Sequence, residues 1–494
     1  MSHYNKLSLH YKKIANFNHL AAVTSWDQAV MMPAGGNESR AQATAELSLH
    51  IHQLSTSPHL GELFAGAQEE TLSEIESASL REMKAQWQKA TVLPEKLVQA
   101  QSLAGSRCEH AWRRQRSEND WQGFAKNFAE VVLLSKEEAA IRSEACNKSP
   151  YDAMLDLYEP GISSAQLDGV FGDLTTWLPA LTGEIQQQQA SQSVINPTER
   201  YTTKQQNALG LDIMKMLEFD FNHGRLDIST HPFCGGTSQD VRITTRYDEA
   251  DFVQSLMGIV HETGHARYEQ GLPKTLQGLP VGEARSMGIH ESQSLFFEMQ
   301  LARSKEFIEQ LVPLTLKHFP DNNPAVFAAS NLHKIYTRVA PGLIRVDADE
   351  VTYPAHIILR YEIERDLING DINYSDIPEL WDLKMQKYLG LSTAGDYKNG
   401  CMQDIHWTDG SFGYFPSYTL GAMYAAQFMA AMKKQVDVSG CISEQKLTPI
   451  FTWLGQNIWS KASLLSTSEL VQQATGETLN SAIYQKHLQE RYLD

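Results

Sequence analysis

The stretch "FVQSLMGIVHETGHARYEQGLP", residues 252–273, reads as one helix with a chemical purpose. Asp248 is placed to cap its start, Glu249 and Asp251 suit its positive end, and Gly271 with Pro273 stop it. On a helix His261 and His265, four apart, share one face, so two imidazole nitrogens can reach a single ion. Glu262 stands beside them, where a carboxylate can take a proton from water activated by the ion, the arrangement by which H-E-x-x-H supports peptide hydrolysis. The spacing also arises by chance in a chain with 17 histidines. Three neighbours favour the ion. Leu256, Ile259 and Val260 mark a largely buried helix, in which unpaired imidazoles would be costly. Gly264 sacrifices about 1 kcal/mol of helix propensity relative to Ala, which points to close approach of another group. A strand just upstream could offer an edge to an extended peptide.

A catalytic ion needs a third protein ligand and leaves a fourth position for water. The continuation H-E-x-x-H-x-x-G-x-x-H is absent, so the ligand is expected from a later helix, in "GEARSMGIHESQSLFFEMQLAR", residues 282–303. There Glu291 shares a stripe with Met287, Leu295 and Glu298, which points a carboxylate at packed surface. Glu283 and Glu298 are the alternatives, and any of the three that is not a ligand reads as a surface or salt-bridging glutamate. His290 lies on another helix face and reads as support rather than ligand.

Working outward, "ESRAQATAELSLHIHQLS", "TLSEIESASLREMKAQWQKA" and "WQGFAKNFAEVVLLSKEEAAIRSEA" repeat apolar residues at i, i+3, i+4 and i+7, so long helices dominate the first 220 residues. Only "HPFCGGTSQDVRITTRYDEADF", residues 231–252, has strand character, in Val241, Ile243, Thr244 and Thr245. Helices resume to the end, and Ser466 with Glu469 predicts a capping box closed by Gly476. No repeat of 20 to 50 residues is present. The expected fold is mostly α: one large helical unit over residues 1–494. Within it, an N-terminal helical region spans residues 1–230, a short β segment beside the metal site spans 231–250, and a catalytic helical region spans 251–494.

Composition removes several function classes. Lys and Arg number 42 against 59 Asp and Glu, a net charge of −17, which repels a phosphate backbone, so no nucleic acid is expected as a partner. Five scattered cysteines without C-x-x-C spacing suggest neither a disulfide framework nor a thiolate metal site. The first twenty residues lack a signal peptide's apolar core, and the longest apolar stretch, "YTLGAMYAAQFMAAM", is short for a bilayer. A cytoplasmic protein without membrane partners is expected.

Beyond the zinc-type motif, six short segments occur in order: "HPF" (231–233), "DVRITT" (240–245), "HETGH" (261–265), "HESQS" (290–294), "IRVDAD" (344–349) and "GCMQDIHW" (400–407). With "SWDQAVMMPAGGNESR" and "FGYFPSYTLGAMYAAQF", they resemble the carboxypeptidase Taq family of metallocarboxypeptidases along nearly the whole chain. The resemblance implies a helical fold with a deep substrate groove, a homodimer, and removal of single C-terminal residues with broad side-chain preference. It implies Glu291 as third metal ligand beside His261 and His265, with Glu262 as general base. Zinc is the expected ion, with cobalt or manganese as alternatives. A C-terminal carboxylate is best held by an arginine fork; Arg345 in "IRVDAD" is the candidate, unless it is paired internally with Asp347 or Asp349. Donors to the developing oxyanion are sought among His231, His406, Tyr414 and Tyr418, with Tyr418 preferred. Arg242 is expected to line the cleft or to hold its strand. Two rival readings are an endo-acting metallo-oligopeptidase and a non-catalytic helical scaffold with a structural motif.

Overall fold

The computed structural model describes residues 1–493. Four helices open the chain: α1 (His3–Val30), α2 (Asn37–Ser55), α3 (Leu60–Gln68) and α4 (Glu74–Thr91). Tyr4, Leu7, Tyr11 and Ile14 of α1 repeat at helical spacing and meet Phe64 and Met83 in a small core that Leu279 and Val281 complete. No side chain of α2 is buried, so this helix rests on the hairpin it makes with α1 rather than on a core of its own.

The helices α5 (Glu95–Ser117), α6 (Trp121–Cys146), α7 (Pro150–Leu155), α8 (Ser164–Gln189) and α9 (Thr203–Met216) follow. On α6 the apolar pattern buries Trp121, Phe124, Phe128, Val131 and Val132 on one face, each large side chain contributing about 1.5–3 kcal/mol. The strands β1 (Gly224–Ile228), β2 (Phe233–Thr237) and β3 (Asp240–Thr245) then form one sheet in the order β1-β3-β2. β2 and β3 make the expected hairpin, whereas β1, paired parallel to β3 from Gly224↔Val241 to Ile228↔Thr245, lies outside the segment that sequence reading marked. Its Arg225 and Asp227 pair with each other along the strand at 2.6 Å, and such a charged run carries little β signal before its neighbour is known. Because β3 is central, the open edges of the sheet belong to β1 and β2.

The motif helix α10 (Phe252–Gly271) starts one turn later than expected: its cap is Asp251, whose carboxylate accepts from Val253 N at 2.8 Å. Asp248 instead accepts from Ala250 N in the preceding turn. Ile259 and Ala266 of α10 pack on Val241 and Ile243 of β3. After α11 (Met287–Leu295) the chain runs on in a π-helical stretch, Phe296–Ala302. The remaining helices are α12 (Lys305–His318), α13 (Ala329–Tyr336), α14 (Tyr353–Asn369), α15 (Ile377–Leu389), α16 (Pro416–Met432), α17 (Val438–Ser443), α18 (Thr448–Asn457), α19 (Thr467–Thr475) and α20 (Ser481–Tyr492). The α19 start carries the Ser466/Glu469 capping box. α16 is buried nearly all round, and no described helix is long and apolar enough to cross a membrane. The fold is predominantly helical with a small sheet packed on the motif helix, the class its periodicities indicated.

Candidate metal centre

α10, α11 and α16 are drawn together where their side chains are smallest. A Cβ at Gly264 would lie 2.6 Å from the Gln293 carbonyl, and one at Gly421 would lie 2.7 Å from Cγ of Glu291. This close approach carries Glu291 to the two histidines. Nε2 of His261 is 3.8 Å from Oε1 of Glu291, Nε2 of His265 is 3.6 Å from Oε2, and one donor atom from each residue lies within 4.8 Å of the others. Two imidazole nitrogens and a carboxylate oxygen on three fixed helical positions form a donor set suited to a divalent ion with an open position.

The surrounding groups fit that use. His261 Nδ1 donates to Glu298 Oε2 at 2.9 Å, and Arg303 donates to Glu298 Oε1 at 2.6 Å. Burial alone would lower the His261 pKa, but the bond to Glu298 and the charges of Glu291, Glu298 and Glu262 raise it to about 10. So negative a field at Nε2 is what a cation seeks. His265 has a different partner: its Nδ1 lies 2.6 Å from Nδ1 of His290, and His290 Nε2 lies 2.9 Å from Glu269 Oε1. Burial and the neighbouring His290 hold His265 well below the usual histidine range. Ligation through Nε2 leaves the His265 proton on Nδ1, which then donates to His290, whose own proton goes to Glu269. The two histidines are thus oriented by independent hydrogen-bonded chains, one ending on Arg303 and the other on Glu269. His290→Ala is expected to weaken divalent-ion binding by about 10–100-fold, read from the midpoint of a metal titration; an unchanged midpoint removes His290 from the support of the site.

Glu262, next to His261, is nearly buried. Burial pushes its carboxyl up to about 7, with His261 drawing it down and Glu291 pushing it further up. Burial, with the charges of Glu262 and Glu269, holds the Cys234 thiol of β2 well above its usual range.

A second cluster gathers around Asp404. Arg345 donates to Asp404 Oδ1 from Nε at 3.0 Å and to Tyr353 Oη at 3.2 Å, while Arg360 donates to Asp404 Oδ2 at 2.7 Å. Arg345 is therefore paired, but not with its sequence neighbours Asp347 or Asp349; Asp349 caps the turn at Val351 and Thr352. Burial would raise Asp404, but Arg360 and Arg345 hold it far below the usual carboxylate range. Burial and Arg360 lower His356 to about 3, and burial and Arg345 lower His406 to about 4, so both are neutral at neutral pH. Two guanidinium groups thus share the single carboxylate of Asp404, and the charge of Arg345 is felt by Glu291.

His406, Tyr414 and Tyr418 line the same region. His406 Nε2 is 3.2 Å from Tyr418 Oη, and Arg345 lies 4.9 Å over the Tyr418 ring. Burial pushes Tyr418 up to about 12 against the pull of Arg345, and it raises Tyr414 further, so both hydroxyls remain donors. The rings of Tyr418, Tyr414 and Tyr158 follow at centroid spacings of 5.3 and 5.1 Å. Tyr158 also lines a cavity of about 500 Å³ walled by α5, α6 and residues 409–411. Two predicted site residues lie elsewhere. Arg242 is paired with Asp240 at 2.6 Å and covers the Trp26 ring at 4.5 Å, fastening β3 to α1. His231 sits exposed between β1 and β2, and among the described residues its ring makes no hydrogen bond or ring contact. Sequence reading did not single out Glu269, Asp404, Arg360 or Tyr353; the one available signal was the unusual run of charged residues on the otherwise apolar α14.

Comparison with known proteins identifies the family of the chain. The profile of the family described as Carboxypeptidase Taq (M32) metallopeptidase matches residues 6–492. The chain is 35% identical to thermostable carboxypeptidase 1 of Thermus thermophilus, over 99% of this chain and 98% of that one. It is 34% identical to carboxypeptidase 1 of Bacillus subtilis, over 97% and 96%. Among solved structures, metallocarboxypeptidase 1 of Trypanosoma cruzi superposes with a TM-score of 0.97 at 43% identity, covering 100% of this chain and 99% of that one.

Proposed function

The chain belongs to the carboxypeptidase Taq (M32) family of metallopeptidases, and on that premise we propose that it removes single residues from the free C-termini of peptides, with broad tolerance of the departing side chain. The observation that carries this reading is a pair of guanidinium groups sharing one carboxylate, Arg345 and Arg360 on Asp404, near enough to the His261, His265 and Glu291 donor set for Glu291 to feel Arg345. The first cluster suits a terminal carboxylate and the second a divalent ion.

His261, His265 and Glu291 would hold a divalent ion, which would supply Lewis acidity toward a peptide carbonyl and lower the pKa of water. Zinc is the ion we assign, while cobalt and manganese accept the same donors. Glu262 Oε takes the proton from the attacking water and returns it to the nitrogen of the departing residue. Tyr418 donates its hydroxyl proton toward the carbonyl oxygen as negative charge develops there, and His406, neutral and bonded to Tyr418, fixes the direction of that hydroxyl. Tyr414 supports the same ring array, and the Arg345 guanidinium, held in place by Asp404 and Tyr353, offers its remaining N–H groups to the terminal carboxylate. Arg242 and His231 have no role in these steps. The residues support a homodimer and a cytoplasmic location only through the family resemblance and the five free cysteines.

A mass-spectrometric time course on one unblocked peptide, with and without chelator, tests the reading. The expected products form a ladder shortened one residue at a time from the C-terminus, and the ladder stops when chelator is added. Internal fragments would support the endo-acting rival, and hydrolysis indifferent to chelator would remove the metal mechanism altogether.

A further inference from the structure

Helix α14 carries a polar stripe inside an apolar body: His356, Arg360 and Glu364, at i, i+4 and i+8, are all fully buried. Arg360 serves Asp404, but Glu364 has other partners. Its Oε1 accepts from Tyr151 Oη at 2.7 Å and from Gly413 N at 3.2 Å, and its Oε2 accepts from the indole N–H of Trp407 at 3.1 Å. A second fully buried carboxylate, Glu159, accepts on Oε1 from Ser417 Oγ at 2.7 Å and from Gly288 N at the start of α11.

Besides Tyr151 and Gly288, the donors these two carboxylates hold share one property. Trp407 adjoins His406, Gly413 adjoins Tyr414, and Ser417 adjoins Tyr418. From Ile405 to Phe415 the chain has no regular structure beyond the single turn His406–Thr408, so no helix or sheet ladder fixes His406 and Tyr414, and Tyr418 stands only in the first turn of α16. Burying a carboxylate is costly, and apolar residues of similar volume commonly give equal or better stability. Two such groups, one holding the neighbours of His406 and Tyr414 and the other the neighbour of Tyr418, need a reason other than stability.

We propose that Glu364 and Glu159 are positioning residues that hold segment 406–418 so that His406, Tyr414 and Tyr418 stand in register with the metal donors. The inference rests on the function proposed above. Glu364 faces three donors and accepts on both of its oxygens, whereas glutamine would turn an N–H toward one of them. Glu159 serves both of its donors through Oε1 alone, an atom glutamine retains.

The test compares full-length, metal-loaded variants on the same unblocked peptide, with metal content and melting temperature measured in parallel. Glu364→Gln is expected to lower kcat by about tenfold or more, since small displacements of reacting groups carry penalties of that order, while KM stays within about twofold. Trp407→Phe, which keeps an aromatic ring and removes the N–H, is expected to lower kcat in the same way and decides the matter if Glu364→Gln does not fold. Glu159→Ala should lower kcat, and Glu159→Gln should restore most of the loss. Folded, metal-loaded Glu364→Gln or Trp407→Phe with kcat within about twofold of wild type overturns the proposal, even if the melting temperature falls, because a merely structural role predicts that pattern. Failure of Glu159→Gln to improve on Glu159→Ala overturns the role assigned to Glu159. A wild-type protein that trims no peptide fails the functional reading itself, a result distinct from wild-type trimming with unaffected variants.

Discussion

Glu262→Gln is expected to lower kcat by about 10³-fold while leaving the metal content unchanged. General acid–base groups contribute about 10²–10⁴-fold, so the loss corresponds to roughly 4 kcal/mol of barrier. Metal retention follows from geometry, because the donor set of His261, His265 and Glu291 does not include Glu262. Glutamine has the same shape and can occupy the same buried place, yet it cannot accept a proton from water. Burial already pushes the carboxyl up to about 7, which matches it to proton transfer near neutral pH. Activity above about a tenth of wild type, with metal bound, would assign the proton to another group.

The second large effect concerns direction along the peptide. Arg345→Ala should lower kcat/KM for peptides with a free C-terminus by about 10²-fold or more, chiefly through KM, since breaking a buried charged contact costs about 2–5 kcal/mol and 1.4 kcal/mol is tenfold. Asp404 keeps its 2.7 Å bond to Arg360 in the variant, so the loss should not come from an orphaned carboxylate. Amidating the peptide removes the same contact from the other side. In wild type it should cost as much as the substitution, and in Arg345→Ala it should cost little more, because the two changes delete one interaction. Fully additive losses would place the terminal carboxylate elsewhere, and equal cleavage of amide and acid by wild type would favour an endopeptidase.

What could be read from sequence follows the range of each physical rule. The juxtaposition of His261 and His265 was legible because helical spacing alone puts them on one face, and that of Glu291 because it shares a stripe with apolar residues. The pairing of Arg345 was misplaced for the opposite reason. Reading looked to Asp347 and Asp349, whereas the partner is Asp404, 59 positions along the chain, and nothing local encodes that contact. β1 escaped because its strand character comes from pairing with β3, and Asp251 replaced Asp248 as cap because either carboxylate could have started the helix. The stripe His356, Arg360, Glu364 was visible as three charged or polar residues at helical spacing. Its meaning was not, since Arg360 and Glu364 serve segments that are distant in sequence.

The two glycine contacts around Glu291 have a thermodynamic consequence. A glutamate free to rotate loses on the order of 1.5–2 kcal/mol of side-chain entropy when it is fixed. Here the backbone of α10 at Gly264 and that of α16 at Gly421 already close around the helix that bears it, so that loss is incurred when the chain folds rather than when an ion arrives. Capture of a divalent ion would then proceed on donors already fixed by packing, and exchanging one ion for another would alter the chemistry of the centre while leaving its scaffold in place.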